Sequence, residues 1–387
     1  MANTISNLIP DLYASLDTVS RELVGFIPAV TSDMTMERAA VGQTVRSPVA
    51  PASAAADITP AVTPPDDGDQ TIGNQNMTIT KARRVPVRWN GEQSRGLDNN
   101  GPGRRNIMRD QFTQAMRTLV NEVETDLAGL HVYASNAYGT AGTTPFGTAG
   151  DFTDASFAAK LLKDNGAPIS GNQLVINTAA GANFAGKQSR FDMQGQDSIL
   201  RQGILLDTAG LSLRESAQVV DFTKGAMASA TTNNAGYAVG ATVITLATAG
   251  TGVVSAGDVI TFAGDTNKYV VAAVSFAGAN PAAGDTITIA EPGLKVAIAA
   301  SATAITVIAN SARNMVFSPS AIVLATRAPA LPEEGDSAVD RMLITDDRSG
   351  LTFEVAQYMQ YRQVQYEVAL AWGVKAVKPE HIALLLG

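Results

Sequence analysis

The residue types best suited to acid–base, nucleophilic or metal chemistry are scarce in this chain and poorly arranged for it. There are two histidines, His131 and His381, and no cysteine, so thiolate metal sites, cysteine nucleophiles and disulfides are excluded. His131 falls on a long helical pattern and His381 follows Pro379, and neither has a carboxylate or second histidine at metal-ligand spacing. No Gly-x-Ser-x-Gly elbow, no phosphate-cradling Gly-x-x-x-x-Gly-Lys-Ser/Thr loop and no dinucleotide fingerprint after a strand is present. The acidic run Asp66-Asp67-Gly68-Asp69 lacks the ligand series and closing glutamate of a calcium loop, so it reads as a solvated or partner-facing tip. Ala-Gly-Asp at 256–258 and again at 283–285 reads as two equivalent turns that open strands, rather than Asp258 and Asp285 as metal ligands. No convergent polar constellation remains for catalysis, and neither an enzyme activity nor a cofactor nor a metal is expected.

Charge is patterned more strongly than chemistry. Lys81, Arg83, Arg84, Arg88, Arg95, Arg104, Arg105 and Arg109 follow one another opposed only by Glu92 and Asp98, in a chain whose net charge is −8. Such a run fits three surroundings: solvent, the carboxylates of a neighbouring subunit, or packaged nucleic acid, whose phosphates neutralise Arg and Lys without sequence reading. Arg104, Arg105 and Arg109 crowd the start of a long helix, where the dipole disfavours cations by roughly a few tenths of a kcal/mol each, so something else must offset them. The acidic balance of the whole chain argues against dedicated high-affinity nucleic-acid binding.

The elements that carry these residues follow from periodicity. Ile5, Leu8, Ile9, Leu12, Leu16, Val19, Leu23 and Val24 recur at helical spacing before Pro28. Residues 41–75 hold five prolines and many Ala, Ser and Thr, too little for a compact core, and a loop of that length is functional or disordered. From Asn76 to Trp89 the pattern alternates, with Met77, Ile79, Val85, Val87 and Trp89 on one face, as in a strand returning from a long excursion. Met108, Phe112, Ala115, Met116, Leu119, Val123, Leu127 and Leu130 then predict one amphipathic helix to about Ser135, on the order of 45 Å long. Helices are expected at Asp154–Lys163 and Ala180–Arg190, with strands at Gln173–Asn177 and Leu211–Val220. Between about Asp221 and Ala312 charge falls away, and five short β runs start at Val243, Val259, Tyr269, Thr286 and Ile305, which suggests a small barrel or sandwich able to fold alone. α/β character resumes at Met315, and from Leu351 a β block ends with Val364, Tyr366, Val368, Leu370 and Trp372 in clean alternation, so one sheet face is buried. The N-terminus carries Asp11 and Asp17 and no basic region before Arg21, unlike a signal peptide, and no stretch is long enough to span a bilayer.

Three stretches resemble tailed-phage major capsid (coat) proteins of the phage P22 type: 312–332, 366–386, and Gly257-Asp258-Val259-Ile260-Thr261-Phe262-Ala263-Gly264. The order of segments resembles the α+β major capsid fold named for phage Hong Kong 97 (HK97-like). In that scheme 1–40 is an N-terminal arm, 41–98 the extended E-loop, 99–138 the spine helix of the P-domain and 139–220 the first part of the A-domain. Residues 221–312 are then an inserted β-barrel, 313–334 the return of the A-domain and 335–387 the closing sheet of the P-domain.

The resemblance implies hexamers and pentamers of one chain tiling an icosahedral virion capsid around double-stranded DNA, assembled in the host cytoplasm. Its implied partners are other copies, a scaffolding protein, a portal protein, the packaged DNA by non-specific contact, and optionally a decoration protein; no membrane is involved. Only about forty residues precede the extended loop, from which a separate scaffolding protein and no N-terminal cleavage are expected. The first lysine is Lys81, so the distal loop offers no amine for a Lys-Asn crosslink and a non-covalent shell is expected. Such shells hold because symmetry closes many contacts of modest area. On this reading Asp66, Asp67 and Asp69 meet basic residues of another subunit, and Lys81, Arg83, Arg84, Arg88, Arg104, Arg105 and Arg109 are inter-subunit candidates. Alternatives are an encapsulin-like compartment enclosing protein cargo and, further off, a β-domain adhesin or fibre protein.

Overall fold

The computed structural model describes residues 24–49, 55, 57–60, 62–63, 69, 73–97, 103–148, 151–188, 207–219, 221–345 and 350–387. The expected N-terminal helix over residues 5–24 lies outside them except for Val24, which is not helical, and the acidic residues Asp66 and Asp67 lie outside them too.

The long helix α2 (Gly103–Ala128), preceded by the short α1 (Gly91–Leu97), is the axis of the larger core. Its residues Phe112, Met116, Leu119, Val123 and Leu127 repeat every three or four positions, and each is at most 1% exposed. Burying side chains of this size contributes about 1.5–3 kcal/mol each. The helix is shorter than its periodicity predicts. After Ala128 the chain tightens into a 3₁₀ segment, Gly129–Tyr133, so Leu130 reaches the core from a different winding.

The helix lies against a mixed sheet formed by β1 (Thr31–Ala39), β15 (Ile322–Pro329), β18 (Gln363–Ala376), β17 (Thr352–Gln360) and β16 (Ala338–Thr345), with β4 (Lys81–Asn90) on the far edge of β18. The alternation seen from Val364 to Trp372 is the buried face of β18: Val368, Leu370 and Trp372 are fully covered, and Tyr366 meets Phe112 edge to face at 5.5 Å. Within residues 41–80, β2 (Thr44–Val49) and β3 (Gly73–Thr78) form a two-stranded ladder. The expected single strand from Asn76 to Trp89 is two strands. The break falls at Ile79–Thr80, where Ile79 N–H bonds Gln43 and Thr80 N–H bonds Trp372 instead of continuing either ladder.

A second sheet joins β5 (Asn136–Gly139), β19 (Ile382–Leu386), β14 (Ser311–Phe317), β6 (Asn172–Ile176) and β7 (Leu211–Glu215), flanked by α3 (Thr153–Asp164) and α4 (Thr178–Gln188). β19 and the second half of β14, Met315 to Phe317, are apolar on both sides because each face of the sheet is covered by a different core cluster. The two-residue β8 (Asp221–Phe222) pairs β14 where the chain leaves this sheet.

Between β8 and β14 run β9 (Val243–Thr245), β10 (Val259–Phe262), β11 (Lys268–Ser275), β12 (Thr286–Ile289) and β13 (Ile305–Val307), close to the five expected runs. They enclose their own apolar cluster, including Ile244, Phe262, Val271, Ile287 and Ile305. The cluster is not sealed from the body: β11 pairs β5 through Lys268 and Tyr269, and Val259 and Val270 face the main core.

Candidate functional site

The basic run is contiguous in sequence but not on the surface. On β4 the odd positions face α2 and the even positions face the other side of the sheet, because a strand alternates. Lys81 Nζ lies 2.7 Å from Asp126 Oδ1 on α2, and the same carboxylate accepts the indole N–H of Trp372 at 2.8 Å. Arg83 Nε lies 3.6 Å from Glu122 Oε2, one turn earlier on that helix. Trp89 Nε1 donates to Gln111 Oε1 at 2.9 Å. On the opposite face Arg84 Nη1 donates to Glu367 Oε2 at 2.7 Å, and that bond raises the guanidinium pKa. Arg88 is exposed on the same face with no partner among the described residues. Arg104 and Arg105 fall in the first turn of α2, and Arg109, one turn on, lies 3.3 Å from Asp110. Asp69 is exposed. Lys81, Arg83 and Arg84 thus have carboxylates within the chain, which leaves Arg88 as the strand's outward cation. These carboxylates were readable in principle: Glu122 and Asp126 are i and i+4 on α2, flanking the apolar stripe.

The open face of the sheet carries a further charged group. Glu354 on β17 is 5% exposed and lies 2.5 Å from Arg38 Nη1 of β1 and 3.2 Å from Arg341 Nε of β16. Arg341 Nη2 also reaches Asp336 at 2.6 Å, and the Tyr358 hydroxyl donates to that carboxylate at 2.7 Å, lowering its pKa. Side chains of β1, β16 and β17 are therefore tied together through Glu354. Removing one partner would leave a buried charge uncompensated.

Glu124 is the buried carboxylate that periodicity alone did not single out. It is 1% exposed on α2, between the apolar Val123 and Leu127. Its Oε1 accepts the backbone N–H groups of Phe26 (2.9 Å) and Ile27 (2.8 Å), and its Oε2 accepts the Ser216 hydroxyl (2.9 Å). Phe26 and Ile27 open the 3₁₀ turn Ile27–Ala29, which has no side-chain cap of its own. The carboxylate therefore satisfies donors that would otherwise be orphaned. Burial pushes its pKa up against the pull of these donors. Phe26 stacks on Phe317 at 6.3 Å, and a Cβ on Gly25 would lie 2.8 Å from the Glu215 carbonyl oxygen, so the arm is threaded tightly between α2 and the second sheet.

Asp258 and Asp285 close equivalent turns. Each is at most 5% exposed and accepts the backbone N–H of the residue three positions earlier: Ser255 at 2.6 Å and Ala282 at 2.8 Å. Each also takes one distant N–H, from Gly225 and Ala277 respectively, both at 3.0 Å. His131 lies beside Ala128 and meets Phe222 edge to face at 5.1 Å; burial lowers its pKa. The Arg313 guanidinium lies 5.0 Å from the Phe222 ring, its pKa pushed down to about 10 by burial. His381 is buried in the turn Pro379–His381, and burial lowers its pKa too. Among the described residues no group of three or more His, Asp or Glu side chains could hold a metal, and no helix is long and apolar enough to cross a membrane.

No family model matches the chain, and no curated protein is significantly similar to it. Among solved structures it is similar to the capsid of the cyanophage P-SCSP1u, at 12% identity over 92% of this chain and 86% of that one, with a TM-score of 0.46. It is also similar to the virus-like particle from Pyrococcus furiosus (8% identity, 98% and 99% covered, TM-score 0.45). A third likeness is to the capsid of a native GTA particle (8% identity, 95% and 90% covered, TM-score 0.45). In each case the likeness is one of fold and runs along nearly the whole chain.

Proposed function

We propose that this chain is the major capsid protein of a tailed phage, self-assembling as hexamers and pentamers into a non-covalent icosahedral shell around double-stranded DNA. The observation that carries this is the excursion between β1 and β4. There Ile58 is 98% and Val62 105% exposed, and Val41 is 59% exposed, while β2 and β3 pair only with each other among the described residues. An isolated monomer gains nothing from holding apolar side chains in water on an extended hairpin, whereas a neighbouring copy in a lattice would cover them. The long helix braced on a cross-tied sheet supports the same reading, since a shell subunit must carry load between neighbours.

Scaffolding and portal proteins would be separate chains, and contact with DNA would be electrostatic and non-specific. Among the described members of the two charged groups, Arg88, Arg95 and Asp69 stand outward without a partner, suited to contacts between copies. The competing reading, a compartment around protein cargo, makes a different prediction about contents. Particles purified from the native source should hold nuclease-protected double-stranded DNA. A protein cargo with no DNA would transfer the assignment to the compartment class.

A further inference from the structure

Arg313 on β14 is 3% exposed, and the chain leaves most of its guanidinium unused. Nη1 donates to the Ser311 hydroxyl at 2.9 Å, while Nε and Nη2 are buried without a hydrogen-bond partner. Asp258, the carboxylate that acts on it electrostatically, gives its own oxygens to the N–H groups of Gly225 and Ser255. The cation is therefore buried with no ion pair among the described residues, and burial pushes its pKa down to about 10. Nε and Nη2 form the edge of a guanidinium that grips two oxygens of one anion.

His131 is incomplete in the opposite sense. Its Nδ1 lies 3.0 Å from the Ala128 carbonyl oxygen, which only accepts, so Nδ1 carries the proton. In the neutral ring, which burial favours, Nε2 is left as a buried acceptor with no donor. Arg313 and His131 line one cavity of about 220 Å³, and the half-buried Phe222 ring meets both, 5.0 Å from the guanidinium and 5.1 Å from the imidazole. That volume holds several water-sized molecules and so admits one four-oxygen anion. Asp221, the one carboxylate in the lining, is exposed, and solvent screens it. Phe222 and Asp221 form the two-residue strand β8, which pairs only β14 among the described residues, a cover light enough to move aside.

We propose that this cavity binds a small oxyanion that retains a proton, inorganic hydrogen phosphate being the simplest: Arg313 Nε and Nη2 donate to two of its oxygens, and its hydroxyl donates to His131 Nε2. Two donors and one acceptor in the protein select an ion with two acceptors and one donor. The ion joins three elements: the 3₁₀ turn after α2, β8 where the chain leaves the second sheet, and β14 where it returns. It thereby fixes the base of the β9 to β13 segment. All of these groups come from one chain, so the site stands apart from the shell reading.

The probe is inorganic phosphate at pH 7 on the full chain, against chloride at matched ionic strength. Titration calorimetry should give one site per chain, and the melting temperature should rise by about 2 °C or more at saturation. Sulfate and dimethyl phosphate carry no proton at this pH and leave Nε2 without a donor, so each should bind about tenfold more weakly. Dimethyl phosphate also separates free phosphate from the phosphodiester of a nucleic-acid backbone. Hydrogen exchange at Phe222 and Thr223 should slow when phosphate is added. Arg313→Met should abolish the response to phosphate, and His131→Phe should erase the preference for phosphate over sulfate. No heat and no melting shift with the wild type would overturn the proposal, as would equal binding of all three anions or a response that survives in Arg313→Met. Should Arg313→Met fail to fold, the wild-type comparison of the three anions decides alone.

Discussion

At the scale of the residue, Glu124 is the side chain on which most depends. Replacing it by Ala would orphan the buried N–H groups of Phe26 and Ile27 and the Ser216 hydroxyl. At about 1–3 kcal/mol for an unsatisfied buried group, Glu124→Ala should cost roughly 3 kcal/mol or more in urea unfolding. Glu124→Gln keeps an acceptor for both backbone donors and should cost far less. The two also differ in pH dependence. Burial raises the folded pKa of Glu124 above its ordinary 4.5, so the protonated form is the one favoured by folding. Its stabilising contribution is fully present below the unfolded value and lost as pH rises through the folded one. Wild type should therefore gain stability relative to Glu124→Gln as pH falls through that interval. A constant difference across the range would show that the carboxyl does not titrate between those limits.

At the scale of the element, the close crossing of β18 with the end of the excursion fixes where the long hairpin leaves the body. A Cβ on Gly373 would lie 2.2 Å from the Thr78 carbonyl oxygen, a backbone atom that cannot swing aside. Gly373→Ala should destabilise the protein by about 1–3 kcal/mol, and hydrogen exchange should accelerate at Ile79 and Thr80 before it does in β14. Uniform acceleration would place the strain elsewhere. How far such elements could be read from the sequence depended on how their faces are covered. The stripe of α2, the alternation from Val364 to Trp372 and the five β runs after Asp221 were legible because each has one buried face and a clear period. β16 was not, since Asp340 and Arg341 interrupt an edge strand that is mostly uncovered, and β1 was not, since its polar side chains belong to a strand held by backbone pairing with β15. The basic run was legible in its residue types alone. Its division between two faces required the register of β4 against β18, and its in-chain carboxylates lie on a helix and a strand distant in sequence.

At the scale of the whole molecule, two described features are ones that a monomer does not need: the apolar side chains of Val41, Ile58 and Val62 held in water, and an outward cation, Arg88, on β4. In a shell each would be covered or paired by another copy, and individually modest contacts would be closed by symmetry. The acidic tip belongs to this scale. Changing Asp66, Asp67 and Asp69 together to Lys should leave the monomer's melting transition in place and impair assembly, as seen by sedimentation; normal shells from the triple variant would remove the idea that the tip pairs with basic residues of a neighbour. The central claim is tested most directly by electron microscopy of the purified protein at high concentration, beside sedimentation at low concentration. The account predicts closed or aberrant shells built from hexamer-like units at high concentration; a compact monomer at every concentration, even with a scaffolding protein supplied, would contradict it.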